Sequence, residues 1–115
     1  MSTDPPPEQA FDELIHQPTR LAVVAFLSGC AEAEFRAVRE GCGVSESALS
    51  KVAATLEAAS YVRLRRGYVG KRPRTWLRLT PEGRRALAAH LAELQRIAAS
   101  ATALGAALEQ AAAEG

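Results

Sequence analysis

The hydrophobic positions fall into blocks whose period changes along the chain. From Phe11 to Ser28 the pattern predicts a helix that restarts at Pro18. Within it Leu21, Val24, Ala25 and Ser28 keep the i, i+3, i+4, i+7 spacing of a buried stripe, and Gly29 is the stop. Glu32 to Glu40 reads as a short second helix with Phe35 and Val38 inward, ended by the Gly41-Cys42-Gly43 turn. Ser45 is a good cap for a third helix, Glu46 to about Ala59, with Glu46 suited to the positive end of the helix dipole. Leu49, Val52, Ala53 and Leu56 form its apolar face, and Ser47, Ser50, Lys51 and Ala54 form the opposite, small and polar one.

After Tyr61 the period drops to two. Tyr61–Leu64 and Thr75–Leu79 read as strands, with Leu77 and Leu79 inward and Trp76 on the other side. Arg65–Arg74, which contains Gly67, Gly70 and Pro73, reads as the loop between them, so the pair is a β-hairpin. Thr80-Pro81-Glu82 opens a last helix, Thr80 as cap and Pro81 in the first position, where its missing N–H is harmless. Leu87, Leu91 and Leu94 recur along it, and Ile97, Ala101, Leu104 and Leu108 continue the pattern to about Ala112. Some 30 residues at about 1.5 Å each give a rod of roughly 45 Å. A chain of 115 residues cannot cover that length, and a second copy is the simplest cover for its apolar stripe.

Composition places these elements in one small domain with a core of Leu, Val and Ala, because aromatic residues are only 5%. No apolar run approaches the roughly 20 residues that span a bilayer, so no membrane association is expected. Residues 1–10 begin with a Pro-rich, acidic segment lacking the basic and apolar regions of a secretory signal. They read as a disordered tail, and a cytoplasmic location follows. Residues 11–97 form the domain and residues 98–115 an Ala-rich extension of the last helix. Cys30 and Cys42 are then expected as free thiols, a redox switch being the alternative.

Charge adds more than the net value of +1 suggests. Residues 46–86 carry ten Lys/Arg against three acids, while both flanks are net acidic. Between Arg63 and Arg78 stand Arg63, Arg65, Arg66, Lys71, Arg72, Arg74 and Arg78 without one acid. A local basic field in a near-neutral chain is the footprint of a face for polyanions. A short helix, a Gly turn and a capped helix form a helix-turn-helix, whose second helix fits the major groove of duplex DNA. Ser45, Ser47, Ser50 and Lys51 on that helix, with Arg63, Arg65, Arg66, Lys71, Arg72 and Arg74 on the hairpin, are the candidate contacts. Phosphate neutralisation supplies affinity, and Arg72 at the tip is placed for a minor groove. A hairpin that binds protein is the alternative. No nucleophile–base pair, phosphate-cradling loop or paired carboxylates support an enzyme, and no cofactor is implied. His16, His90 and the two Cys lack the spacing of a zinc site.

The run Phe11–Leu21 resembles the opening helix of small winged-helix regulators similar to MarR- and ArsR-type repressors. Phe35, Val44–Lys51, Leu56–Val62, Gly70–Thr75 and Leu79–Arg84 continue the resemblance, which spans residues 11–97. It implies a mainly α (α+β) fold: a winged helix-turn-helix with a two-stranded wing and a long C-terminal dimerisation helix. It implies a homodimer joined through the first and last helices, with Leu14, Leu87, Leu91, Leu94, Ile97, Leu104 and Leu108 as interface candidates. Such a dimer would read a pseudo-palindromic duplex as a repressor. A small-molecule effector near the interface is compatible with it, although no residue set defines a pocket. Ser60 departs from the family, which usually has Gly there, so either Ser60 takes a left-handed conformation less comfortably or the recognition helix ends differently. The dithiol cluster of metal-sensing relatives is absent.

Overall fold

The computed structural model describes residues 10–115; the tail expected over residues 1–10 lies outside them except for Ala10. The elements in order are α1 (Glu13–His16), α2 (Pro18–Ser28), β1 (Ala33–Glu34), α3 (Phe35–Cys42), α4 (Glu46–Ala58), β2 (Val62–Val69), β3 (Arg72–Leu79) and α5 (Pro81–Glu114). The strands form one antiparallel sheet in the order β1-β3-β2. This is the expected winged helix-turn-helix, mostly helical, with a third strand that periodicity did not show.

The opening helix is two helices. Asp12 Oδ1 accepts from the Leu14 and Ile15 amides to cap α1, and Pro18 takes the first position of α2. The buried stripe of α2 is Val23, Val24 and Leu27, while Ala25 and Ser28 face solvent and Leu21 is half-buried. The correction has a simple cause: Leu21 to Leu27 is apolar throughout, so more than one stripe satisfies the helical period there. Residues 32–34 are not helical. Ala33 pairs with Leu77 and Glu34 with Trp76, which closes part of the open edge of β3, and α3 begins only at Phe35.

α3 and α4 both end in left-handed residues. At the end of α3 Gly43 has φ 65°, and the Val44 amide reaches back to the Arg39 carbonyl at 3.1 Å. At the end of α4 Ser60 has φ 65°, the Ser60 amide bonds the Glu57 carbonyl, and the Tyr61 amide bonds the Leu56 carbonyl, both at 2.9 Å. These are Schellman closures, in which glycine is at ease and serine is not. Relieving the Cβ clash with Ser60→Gly is expected to raise the unfolding free energy by roughly 1 kcal/mol, read by urea denaturation.

The expected loop of the hairpin is mostly strand. β2 runs to Val69 and β3 starts at Arg72, leaving Gly70-Lys71 as the turn, with Gly70 at φ 63° in its first position. Tight hairpin turns need that positive φ. Pro73 is tolerated because β1 reaches only to Trp76 along β3, so at Pro73 the strand is an edge.

One core gathers the helices onto the inner face of the sheet: Ile15 from α1, Val38 from α3, Leu49 and Leu56 from α4, Val62 and Leu77 from the strands, all fully buried, and Leu87 from α5. α5 starts against this core. Thr80 Oγ1 caps it by accepting from the Gly83 amide at 2.9 Å, and donates to the Ser60 carbonyl at 2.7 Å. A Cβ on Gly83 would collide with the Tyr61 carbonyl oxygen and lie 2.6 Å from Leu79 Cδ1. Gly83→Ala is therefore expected to lower stability by about 1–3 kcal/mol, seen as an earlier thermal transition.

The second half of α5 leaves the core. Every residue from Gln95 to Gly115 is exposed, and the molecule extends 74 Å along its longest axis. Leu87 was expected at an interface between copies, but it belongs to the protein's own core. Leu14 and Leu94 are half-buried, so the exposed stripe starts at Leu91 and continues through Ile97, Leu104 and Leu108.

Candidate nucleic-acid interface

Two elements frame the candidate site: the outward face of α4 and the hairpin β2–β3. Leu49, Val52, Ala53 and Leu56 anchor α4 in the core, which turns Ser47, Ser50, Lys51 and Ala54 outward in one exposed stripe. The small side chains let the helix backbone approach a flat or grooved partner closely. Ser45 is committed to the helix itself: its hydroxyl accepts from the Ala48 amide at 3.1 Å.

Alternation along the strands sorts the hairpin cations onto two faces. Arg66, Tyr68, Pro73 and Thr75 continue the inner face of Val62, Leu64 and Leu77 beyond the core, toward α4. Arg63, Arg65, Arg74, Trp76 and Arg78 occupy the outer face. Lys71 and Arg72 stand exposed at the tip, beside Tyr68 and Val69, which are 73% and 56% exposed.

β1 changes the electrostatics of the outer face. Arg65 makes a two-pronged contact with Glu32 at 2.7 and 3.1 Å and lies 4.1 Å over the Trp76 ring. Arg74 Nε pairs with Glu34 at 2.7 Å. The Arg65 guanidinium holds the Glu32 carboxyl below the usual carboxylate range. The hairpin contains no acid of its own, but the chain folds two onto it. Arg84 is also engaged, donating to the Ser28 and Cys30 carbonyls at the end of α2. Among the described residues, Lys51, Arg63, Arg66, Lys71, Arg72 and Arg78 make no ion pair.

Between α4 and the inner face of the hairpin runs an open groove of about 770 Å³, lined by Ser50, Ala54, Arg66 and Tyr68, by Arg36 and Arg39 of α3, and also by the acids Glu34, Glu46 and Glu57. Sequence reasoning missed Arg36 and Arg39. They stand three residues apart on α3, Arg36 exposed and Arg39 half-buried, with Val38 buried.

Both cysteines are free and half-buried. Both Sγ atoms lie within reach of backbone carbonyls, Cys30 near that of Leu27 and Cys42 near that of Ala22, and burial pushes the Cys42 thiol up. Reactive cysteines are shifted the other way. His16 and His90 do come together, far from the groove; no group of three or more His, Cys, Asp or Glu able to hold a metal occurs among the described residues. No helix there is long and apolar enough to cross a membrane.

The family model described as a winged helix DNA-binding domain matches residues 19–98, well over half of the chain. The chain belongs to this winged-helix family. Solved structures of similar fold include the transcriptional regulator homologue protein from Pyrococcus horikoshii OT3. That protein is 22% identical, with a TM-score of 0.73, over 81% of this chain and 92% of its own. The PcaV transcriptional regulator from Streptomyces coelicolor, solved in complex with its natural ligand, is 22% identical with a TM-score of 0.62, covering 94% and 81%. A zinc-responsive MarR family member, Lactococcus lactis ZitR, aligns at 18% identity and a TM-score of 0.54, covering 76% and 59%. The MarR-like reading of the sequence thus agrees with the fold neighbours. No curated protein matches the chain in sequence. In winged-helix terms α3 and α4 are the helix-turn-helix, α4 the recognition helix and β2–β3 the wing.

Proposed function

We propose that this winged-helix protein is a transcriptional repressor, not an enzyme, that binds duplex DNA as a homodimer in the cytoplasm. The observation that carries this reading is the exposed Ser47/Ser50/Lys51/Ala54 stripe, whose Ser50 and Ala54 line an open groove with Arg66 of the wing, together with Arg66, Lys71 and Arg72 making no ion pair among the described residues. α4 lies in the major groove, with Ser47, Ser50 and Lys51 at base edges or phosphates. The wing tip follows the flanking backbone or minor groove through Lys71 and Arg72, and Arg66 faces phosphate across the groove. Arg65 and Arg74, held by Glu32 and Glu34, brace the wing, and Arg63 sits beside them on the outer face. Ser45 contributes as a cap whose N-terminal turn approaches the duplex.

Residues 11–97 act as the DNA-binding unit, and residues 98–115 lengthen the helix that joins two copies. A pseudo-palindromic duplex matches the two-fold symmetry of such a dimer. Fold neighbours solved with small ligands make an effector site near the dimer interface a reasonable extension.

The test is selection from sheared genomic duplex at low and moderate salt, followed by sequencing of what stays bound. Retention of a few inverted-repeat fragments is the expected result. Weak, uniform binding that disappears at moderate salt would overturn it in favour of a wing that binds protein.

A further inference from the structure

His16 and His90 have no part in the DNA-facing surface, yet they sit in the most connected polar cluster of the molecule. His90 is fully buried on α5, between α1 and the turn that follows the recognition helix. Its Nδ1 lies 3.0 Å from the Asp12 amide, so Nδ1 accepts and carries no proton. The ring proton of neutral His90 is therefore on Nε2, 3.2 Å from His16 Nδ1, which accepts it. Phe11 closes the site, its ring centroid 4.7 Å from that of His16 and 4.8 Å from that of His90. Asp12 uses one carboxylate oxygen to cap α1, and the other accepts the Tyr61 hydroxyl proton. Tyr61 directly follows Ser60, the left-handed end of α4, and its carbonyl holds the Thr80 amide where α5 begins. One chain of hydrogen bonds thus links α5, α1 and the far end of the recognition helix.

This arrangement admits only neutral His90. A proton added to His90 goes to Nδ1 and points at the Asp12 N–H, which breaks that link.

Charged and titratable groups of α1, α2, α5 and the turn after α4 surround the pair. Asp12 and Glu13 come from the α1 segment and favour a cation, whereas burial of His90 and the neighbouring His16 disfavour one more strongly. Burial, with the Asp12 carboxylate adding to it, pushes the Tyr61 hydroxyl up to about 12, so it stays a donor. On α5 Glu93 is occupied by Arg96, and Glu82 acts on Tyr61. Arg20 of α2 donates to the Leu14 carbonyl.

We propose that the His16–His90 pair is a proton-operated latch that fastens α1 and the C-terminal end of the recognition helix to α5 and opens in acid. The sign follows from the direction of the shift. His90 is lowered from 6.5, so the latch contributes stability above that value and loses it as pH falls through the lower native value.

Hydrogen exchange of the full-length protein, corrected for intrinsic rates, tests the latch between about pH 7.5 and about pH 5.5. Protection of peptides 11–16 and 59–63 is expected to fall by up to about tenfold per pH unit as pH drops from 6.5 toward the lower native value of His90, and to level off below it, while the core of α4, residues 49–56, stays protected. His90→Gln should flatten the response. His16→Gln, at an exposed position, should move the midpoint to higher pH, because it removes a neighbour that disfavours the His90 cation. Protection of 11–16 that holds throughout the range would overturn the proposal. So would an unshifted midpoint in His16→Gln, or protection that responds to Zn²⁺ at fixed pH. The consequence for DNA rests on the function proposed above. Loss of protection with unchanged affinity for a random-sequence duplex would leave the latch standing and count against that function.

Discussion

Replacing Lys51, Lys71 and Arg72 together with alanine is expected to flatten the salt dependence of duplex binding by about 2.7 in the slope of log K against log salt, at about 0.9 per lost phosphate contact. All three side chains are exposed and make no ion pair, so their removal leaves the core intact and acts on the partner. The paired cations provide the contrast. Arg65 is engaged by Glu32 and the Trp76 ring, and Arg74 by Glu34. Arg65→Gln should leave the slope unchanged, because a guanidinium already neutralised by a carboxylate displaces few counterions. Fluorescence anisotropy on one labelled duplex at several salt concentrations measures both variants. Equal slopes in all three proteins would mean that the wing does not touch phosphate.

The second large effect is expected from Leu104→Asp with Leu108→Asp. The two leucines are 62% and 63% exposed, on a stretch of α5 in which every residue from Gln95 onward is exposed. Most helical stability in proteins comes from packing an apolar face rather than from propensity, so the exposed stripe of this segment calls for a partner surface. An aspartate pair in that surface should give a monomer by sedimentation equilibrium. Unfolding of the domain should change little, since none of its core residues lies beyond Leu87. Duplex affinity should drop by about 10²–10⁴-fold as the second recognition helix is lost. A variant that remains dimeric would place the interface elsewhere.

Much of this was legible in the sequence because local chemistry dictates it. Ser45 and Thr80 cap the helices they were expected to cap, and Leu49, Val52, Ala53 and Leu56 face inward as their spacing requires. Ser60 takes the left-handed conformation, one of the two endings open to the helix there. What escaped was set by contacts distant in sequence. β1 exists only because β3 offers Leu77 and Trp76 an edge to pair with, and no two-residue segment announces itself by period. The neutralisation of Arg65 and Arg74 followed from that strand, since Glu32 and Glu34 precede the wing by some thirty residues and looked like part of a helix. Leu87 fitted the stripe of α5 as well as Leu91 did, and only the tertiary fold separates the core leucine from the exposed one. The His16–His90 contact spans 74 residues, which no spacing rule anticipates.

Hydroxyl-radical footprinting on a duplex recovered by genomic selection bears most directly on the central claim, that two winged helices read DNA together. The account predicts two protected patches related by two-fold symmetry, their centres about one helical turn, some 34 Å, apart, with added protection where the wings reach the flanking backbone. A single protected patch, or uniform weak protection along the duplex, would contradict it.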